Sequence, residues 1–135
     1  MSLPGMNSAH RSRLSLLGLC AVIGGSGVLH FVAPGPYRGI VPAPLRGQAA
    51  AVVALSGVCE LVCVALLARP RTRRLGAYAT AALLVAVFPA NVQMALDSGR
   101  GAASFPLTGA VLAWLRLPVQ APLILWALSF RRGAA

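Results

Sequence analysis

The sequence predicts an all-α protein, an integral membrane four-helix bundle with short loops, and three observations predict it. Apolar residue types make up 58% of the chain and charged types only 10%, where a water-facing domain carries roughly 25% charged residues. Mean hydropathy is +0.78, which also excludes intrinsic disorder, because a disordered chain needs low hydrophobicity. Four stretches, residues 14–33, 48–68, 75–96 and 107–130, are long enough to cross a hydrocarbon core about 30 Å thick. They are apolar all round and lack the polar face of a soluble helix. There is no internal repeat and no second domain. Residues 11–135 therefore read as one transmembrane domain, and residues 1–10, with Pro4, Gly5 and Ser8, as a mobile cytoplasmic tail.

The first stretch follows His10, Arg11 and Arg13. No small-x-small cleavage pattern comes after it, so it is read as a helix and not as a secretory signal. The next segment, residues 34–45, holds Pro34, Pro36, Pro42 and Pro44, which forbid a regular helix, while Ile40, Val41 and Leu45 call for burial. An interfacial or slightly re-entrant loop anchored by Tyr37 and Arg38 reconciles the two demands, acting either as a lid or as a plain turn. In the third stretch Pro89 removes one helix hydrogen bond and frees the Val85 carbonyl, which predicts a kink. The fourth is interrupted by Arg116, Pro118 and Pro122. Its first residues, 107–113, either extend the helix or lie along the interface. Small residues such as Ala21 and Gly25, or Ala82, Ala86 and Ala90, let helix backbones approach in lipid. They serve packing inside one bundle or a homodimer face.

Charge gives orientation. Of 12 basic residues, Arg11, Arg13, Arg69, Arg71, Arg73, Arg74, Arg131 and Arg132 fall on one side of a four-span topology. The positive-inside rule places that side, with both termini, in the cytoplasm. The arginines sit at helix ends and form no basic stripe with interleaved aromatics, which argues against nucleic acid. Anionic lipid headgroups are the expected partner of this charge, with Arg69, Arg71, Arg73 and Arg74 as the cytoplasmic contact surface.

Polar residues inside the spans carry most of the functional information, since each is costly in hydrocarbon and faces the bundle interior. Counting the helical rise from the cytoplasmic end puts His30 and Asn91 at about 24 Å, Arg116 at about 21 Å, Gln120 at about 15 Å and Glu60 at about 12 Å. That predicts an outer polar layer and a separate central one. Glu60, one of only two acids, has Arg116, Gln120 and its helix neighbour Ser56 as candidate partners. The cluster either ties helices together or forms a proton-handling or polar-ligand site. Asn91 and Gln93, beside Pro89, either satisfy freed backbone groups or line a cavity opened by the kink. Broken helices facing one another are where membrane proteins place binding sites.

No reaction is named by any motif. Cys20, Cys59 and Cys63 lack C-x-x-C spacing and read as buried free thiols. The second histidine, His10, lies in the tail, so no metal-ligand spacing exists, and no glycine-rich phosphate loop, nucleophile elbow or paired carboxylate is present.

Taken in order, five segments resemble the DoxX-like family of small bacterial membrane proteins: Gly27-x-x-His30-Phe31 with Pro34, Tyr37 and Ile40-Val41-Pro42; Ser56-Gly57-x-x-Glu60-Leu61; Arg71-Thr72-Arg73-Arg74; Val87-Phe88-Pro89-Ala90-Asn91-x-x-Met94-Ala95; and Arg116-Leu117-Pro118-x-Gln120. The resemblance spans residues 14–132. It implies a multi-pass protein of the bacterial inner membrane, linked in some relatives to quinone-dependent oxidation or to oxidoreductase assemblies. The expectation is a non-catalytic membrane subunit that anchors or organises an oxidoreductase partner and holds a quinone or lipid. The alternative is a small membrane enzyme or carrier working through His30, Glu60, Asn91 and Arg116. No cofactor motif is evident, and a quinone is the candidate.

Overall fold

A computed structural model describes residues 8–39, 41, 43–98 and 110–132. Four long helices, α1 (Ser8–Val32), α3 (Ala49–Ala68), α4 (Arg73–Ser98) and α5 (Ala110–Leu128), make up the bundle. A short helix, α2 (Pro34–Gly39), and a 3₁₀ turn, Ala43–Gln48, connect α1 to α3. There is no strand among the described residues. Ser8–Val32, Ala43–Ala68 and Arg73–Gln93 are each long and apolar enough to span a membrane, and Trp114–Leu128 is a shorter apolar helix. Helices are the required solution here, because in lipid every backbone donor and acceptor must be satisfied within its own segment.

The four expected stretches are helical, with shifted ends. Residues 8–10, placed by sequence in the tail, are the first turn of α1, so that helix extends further than expected; residues 1–7 lie outside the described residues, as do 107–109 of the fourth span, while Ala110 onward is helical. The proline-rich connection is more helical than four prolines suggested, because Pro34 opens α2 at the position where a missing N–H costs nothing.

Consecutive helices pack as neighbours. α1 lies against α3 and α4 against α5, and α3 joins the two pairs along α4. Each helix is apolar on all sides yet buries only one stripe. On α1 this is Leu19, Ile23, Gly27 and His30, and on α3 it is Val53, Gly57, Glu60, Cys63 and Leu67. Leu17, Val32, Leu55, Leu75 and Leu125 point outward, as lipid-facing residues do.

The end of the bundle that carries the arginine turn is filled. Leu19, Ile23, Leu67, Ala77, Leu84 and Ala127 form its apolar core. Trp126 closes α5 onto α1, its ring over Gly18 and its indole N–H donating to Ser15 Oγ at 2.8 Å. The turn between α3 and α4 is tight because Gly76 meets the Leu66 and Leu67 backbone, where a Cβ would come within 2.7 Å of the Leu67 nitrogen. The carbonyls left over at the end of α3 need donors. Thr72 Oγ1 supplies one to Leu66 O at 2.9 Å, and Arg73 Nε supplies one to Leu67 O at 2.8 Å. Arg73 thus caps the end of α3 and is half-buried, while Arg69, Arg71 and Arg74 are exposed.

Candidate functional site

The opposite half of the bundle is not filled. A cavity of about 590 Å³ lies between the two helix pairs. Its wall is apolar over most of its area, through residues such as Val22, Leu29, Val52, Val87 and Val119, and every long helix adds polar groups to it. His30, Glu60, Asn91, Arg116 and Gln120, the five residues singled out by sequence, all line it, together with Tyr37 and Ser56. Pro89 and Gln93 do not belong to this wall: Pro89 is exposed and Gln93 half-buried on α4.

The first polar cluster exists because α1 and α3 cross at two glycines. A Cβ on Gly57 would stand 2.8 Å from the His30 Cβ and 2.8 Å from the Phe31 ring, and one on Gly27 would stand 3.1 Å from the Glu60 Cβ. Each glycine therefore faces the residue that carries the partner helix's polar group. Cα–Cβ bonds lean toward a helix's N-terminus. The two helices run in opposite directions, so His30 and Glu60 lean toward each other and meet. The separate layers expected from counting rise are thereby merged. The count went wrong because it set the ends of α1 and α3 level, whereas Gly27 stands against Glu60 and Gly57 against His30, and because it ignored the lean of the side chains.

At the crossing, His30 Nδ1 lies 2.7 Å from the Ser26 carbonyl oxygen and 3.2 Å from Glu60 Oε2. Two acceptors face this one nitrogen, so it carries a proton. The short distance to the carbonyl assigns the hydrogen bond there. Ser26 Oγ donates to Glu60 Oε1 at 3.1 Å. Glu60 Oε2 is buried and has no hydrogen-bond partner among the described residues. Ser26 escaped the sequence reading because a serine in an apolar helix is ordinary; its signal was the four-residue spacing to His30, which stacks both on one face.

Tyr37 covers the cluster from α2. Its ring stacks on the His30 imidazole, with centroids 3.9 Å apart and an interplanar angle of 24°. Burial pushes the phenol's pKa up from its ordinary value, so the hydroxyl stays protonated. Val41, also buried, adds an apolar part to the same cover.

The second cluster joins α4 to α5. Asn91 Nδ2 donates to Gln120 Oε1 at 2.6 Å, and Gln120 Nε2 donates to the Leu84 carbonyl. The backbone group served is one residue before the carbonyl expected to be freed by Pro89, and its donor comes from the neighbouring helix. Pro118 and Pro122 flank Gln120 within α5, so both partners belong to proline-containing helices. Asn91 keeps its Oδ1 as an acceptor. Arg116 adds a cation to the same wall.

Cys20, Cys59 and Cys63 are free thiols. No group of three or more His, Cys, Asp or Glu side chains is placed to hold a metal ion among the described residues. What the cavity offers instead is an apolar volume with hydrogen-bonding groups on two opposite walls. No curated protein and no solved structure matches the chain. The family model described as Domain of unknown function (DUF8561) matches residues 19–131, the four-helix core with its cavity, and the chain belongs to that family.

Proposed function

We propose that this protein is a membrane subunit that holds an amphipathic small molecule, a quinone or a lipid, between its helix pairs and organises an oxidoreductase partner beside it. The observation that carries the reading is the cavity. Its volume of about 590 Å³ falls within the range of roughly 300–1,000 Å³ typical of small-molecule sites, and its mostly apolar wall with a few polar groups is the usual composition of such sites. A flat or chain-like apolar body fits between α1/α3 and α4/α5, with its polar head against His30, Arg116 or Asn91. The resemblance to DoxX-like proteins supports a quinone and a redox partner. The exposed Arg69, Arg71 and Arg74 supply a surface for that partner or for anionic headgroups. The arginine distribution supports an inner-membrane placement with this turn and both termini in the cytoplasm. The alternative, a small enzyme or carrier using the same cavity alone, is favoured by the titratable cluster at the α1/α3 crossing.

Purification in native lipid, followed by mass spectrometry of co-purifying proteins, quinones and lipids, separates these readings. A stoichiometric oxidoreductase together with a bound quinone or lipid supports the subunit. A bound small molecule without a partner protein supports the carrier. Recovery of neither, with Val119→Trp leaving the profile unchanged, counts against a ligand in the cavity.

A further inference from the structure

Among the described residues the cavity is open on one side. Tyr37 and Val41 cover one end, and the apolar core with Trp126 fills the other. α3 packs along α4, which closes one seam between the helix pairs. At the other seam α1 and α5 do not pack along their lengths; they meet where Trp126 reaches Ser15 and lies over Gly18. Gly25 stands about two turns further along the same face of α1. There a Cβ would meet nothing within 4 Å, whereas one on Gly18 would stand 3.2 Å from the Trp126 ring. Exposure along the cavity wall has the same pattern. Its exposed members are Val22, Gly25 and Leu29 on α1 and Val119 on α5, and every wall residue from the other elements is buried or half-buried. A slot with apolar edges thus opens sideways between α1 and α5, and in a membrane it opens onto hydrocarbon.

A cation stands at this slot. From the bond between Ser15 and Trp126, ten residues along α1 reach Gly25 and ten residues back along α5 reach Arg116. The two helices run in opposite directions, so Gly25 and Arg116 come to about the same level. Arg116 is half-buried and lines the cavity. A guanidinium is costly in hydrocarbon and marks a pathway or a ligand site there. Its five N–H donors, set in a rigid fork, match a carboxylate or a phosphate and leave capacity for contacts within the protein. Glu60, the acid of the same wall, belongs to the other helix pair, where Ser26 donates to it and His30 faces it. We propose that the slot between α1 and α5 is a side entrance for an acyl lipid with an acidic head, a carboxylate or a phosphate. The head binds Arg116 and the chain lies between Gly25 and Val119. The inference rests on the cavity reading and narrows its occupant to an anionic lipid. A second copy of this chain offers Arg116 no such partner, because its two acids are Glu60, buried in its own bundle, and Asp97, near the end of α4.

Photolabelling tests the entrance. The full chain in nanodiscs of zwitterionic phosphatidylcholine is exposed to a diazirine-bearing palmitate, to the matched long-chain alcohol, and to a diazirine-bearing phosphatidylglycerol. Labelled peptides are then mapped by mass spectrometry. One or both acidic probes are expected to label residues 22–29 and the neighbourhood of Val119, and which of them does so identifies the head as carboxylate or phosphate. The alcohol is expected to label the same places about tenfold less, the weight of one charge-assisted hydrogen bond. Arg116→Gln should bring the acids down to the level of the alcohol. Gly25→Leu, whose Cβ enters open space, should fill the slot and lower labelling by every probe. Alcohol labelling equal to that of the acids overturns the acidic head, and labelling unchanged by Gly25→Leu overturns the side entrance, as does a slot that no probe labels. The comparison of probes uses the unaltered chain, so it decides the matter even where a variant fails to fold. A quinone that co-purifies while neither acid labels the slot would sink the entrance and leave the cavity reading standing.

Discussion

The two helix pairs solve the same problem differently. α1 and α3 are held by close backbone approach at Gly27 and Gly57, and their polar groups include a histidine and a carboxyl group whose Oε2 faces His30 at 3.2 Å without a hydrogen bond among the described residues. α4 and α5 are held by neutral amides, Asn91 to Gln120 and Gln120 to the Leu84 carbonyl. In the second pair the bonds contribute to cohesion. In the first, close packing at the two glycines supplies cohesion alongside the Ser26–Glu60 hydrogen bond. A buried polar pair in a membrane helix is therefore not one kind of feature.

Substitution at the glycine crossing is expected to have the largest effect. Gly57→Val places atoms where the His30 Cβ and the Phe31 ring already stand, and the helices must separate. A loss of about 3 kcal/mol is expected from overpacking of this kind, read as a lowered midpoint of unfolding in lipid bicelles. An unchanged midpoint would show that the pair is held elsewhere. Gln120→Leu should come next, removing two hydrogen bonds from the other pair and leaving Asn91 Nδ2 and the Leu84 carbonyl without their partner, at about 2 kcal/mol in the same assay. If Gln120→Leu proves neutral, the amides do not hold α4 to α5 and the comparison loses its second half. The smallest effect is expected at the seam between the pairs. Trp126→Phe keeps the aromatic packing over Gly18 and loses only the bond to Ser15. About 0.6 kcal/mol, the mean for one side-chain hydrogen bond in a membrane bundle, is the expected loss; a cost equal to that of Gln120→Leu would move the main tie to the α1/α5 contact.

Much of the fold was legible because hydrocarbon imposes length and composition on whatever crosses it. The four long helices could be counted without knowing their contacts, and residues costly in lipid could be singled out one by one. His30, Glu60, Asn91, Arg116 and Gln120 all reached the same cavity for that reason. Their pairing was not legible. The partners found for Glu60 are Ser26 and His30, where the sequence had pointed to Arg116, Gln120 and Ser56. Arg73 looked like one of four equivalent surface arginines until the end of α3 required donors for its carbonyls.

By itself the sequence determined that this is a helical membrane-type protein, how many long helices it has, roughly where they start and stop, and which polar residues the bundle must accommodate. Those properties depend on each segment's own energy in lipid. The tertiary structure alone decided which side of each helix is buried, because helices that are apolar on all sides carry no periodic signal of their buried face. Close approach at Gly27 and Gly57 selected that face. The opposite lean of side chains on antiparallel helices then brought His30 to Glu60 across a distance that counting along either helix had kept open.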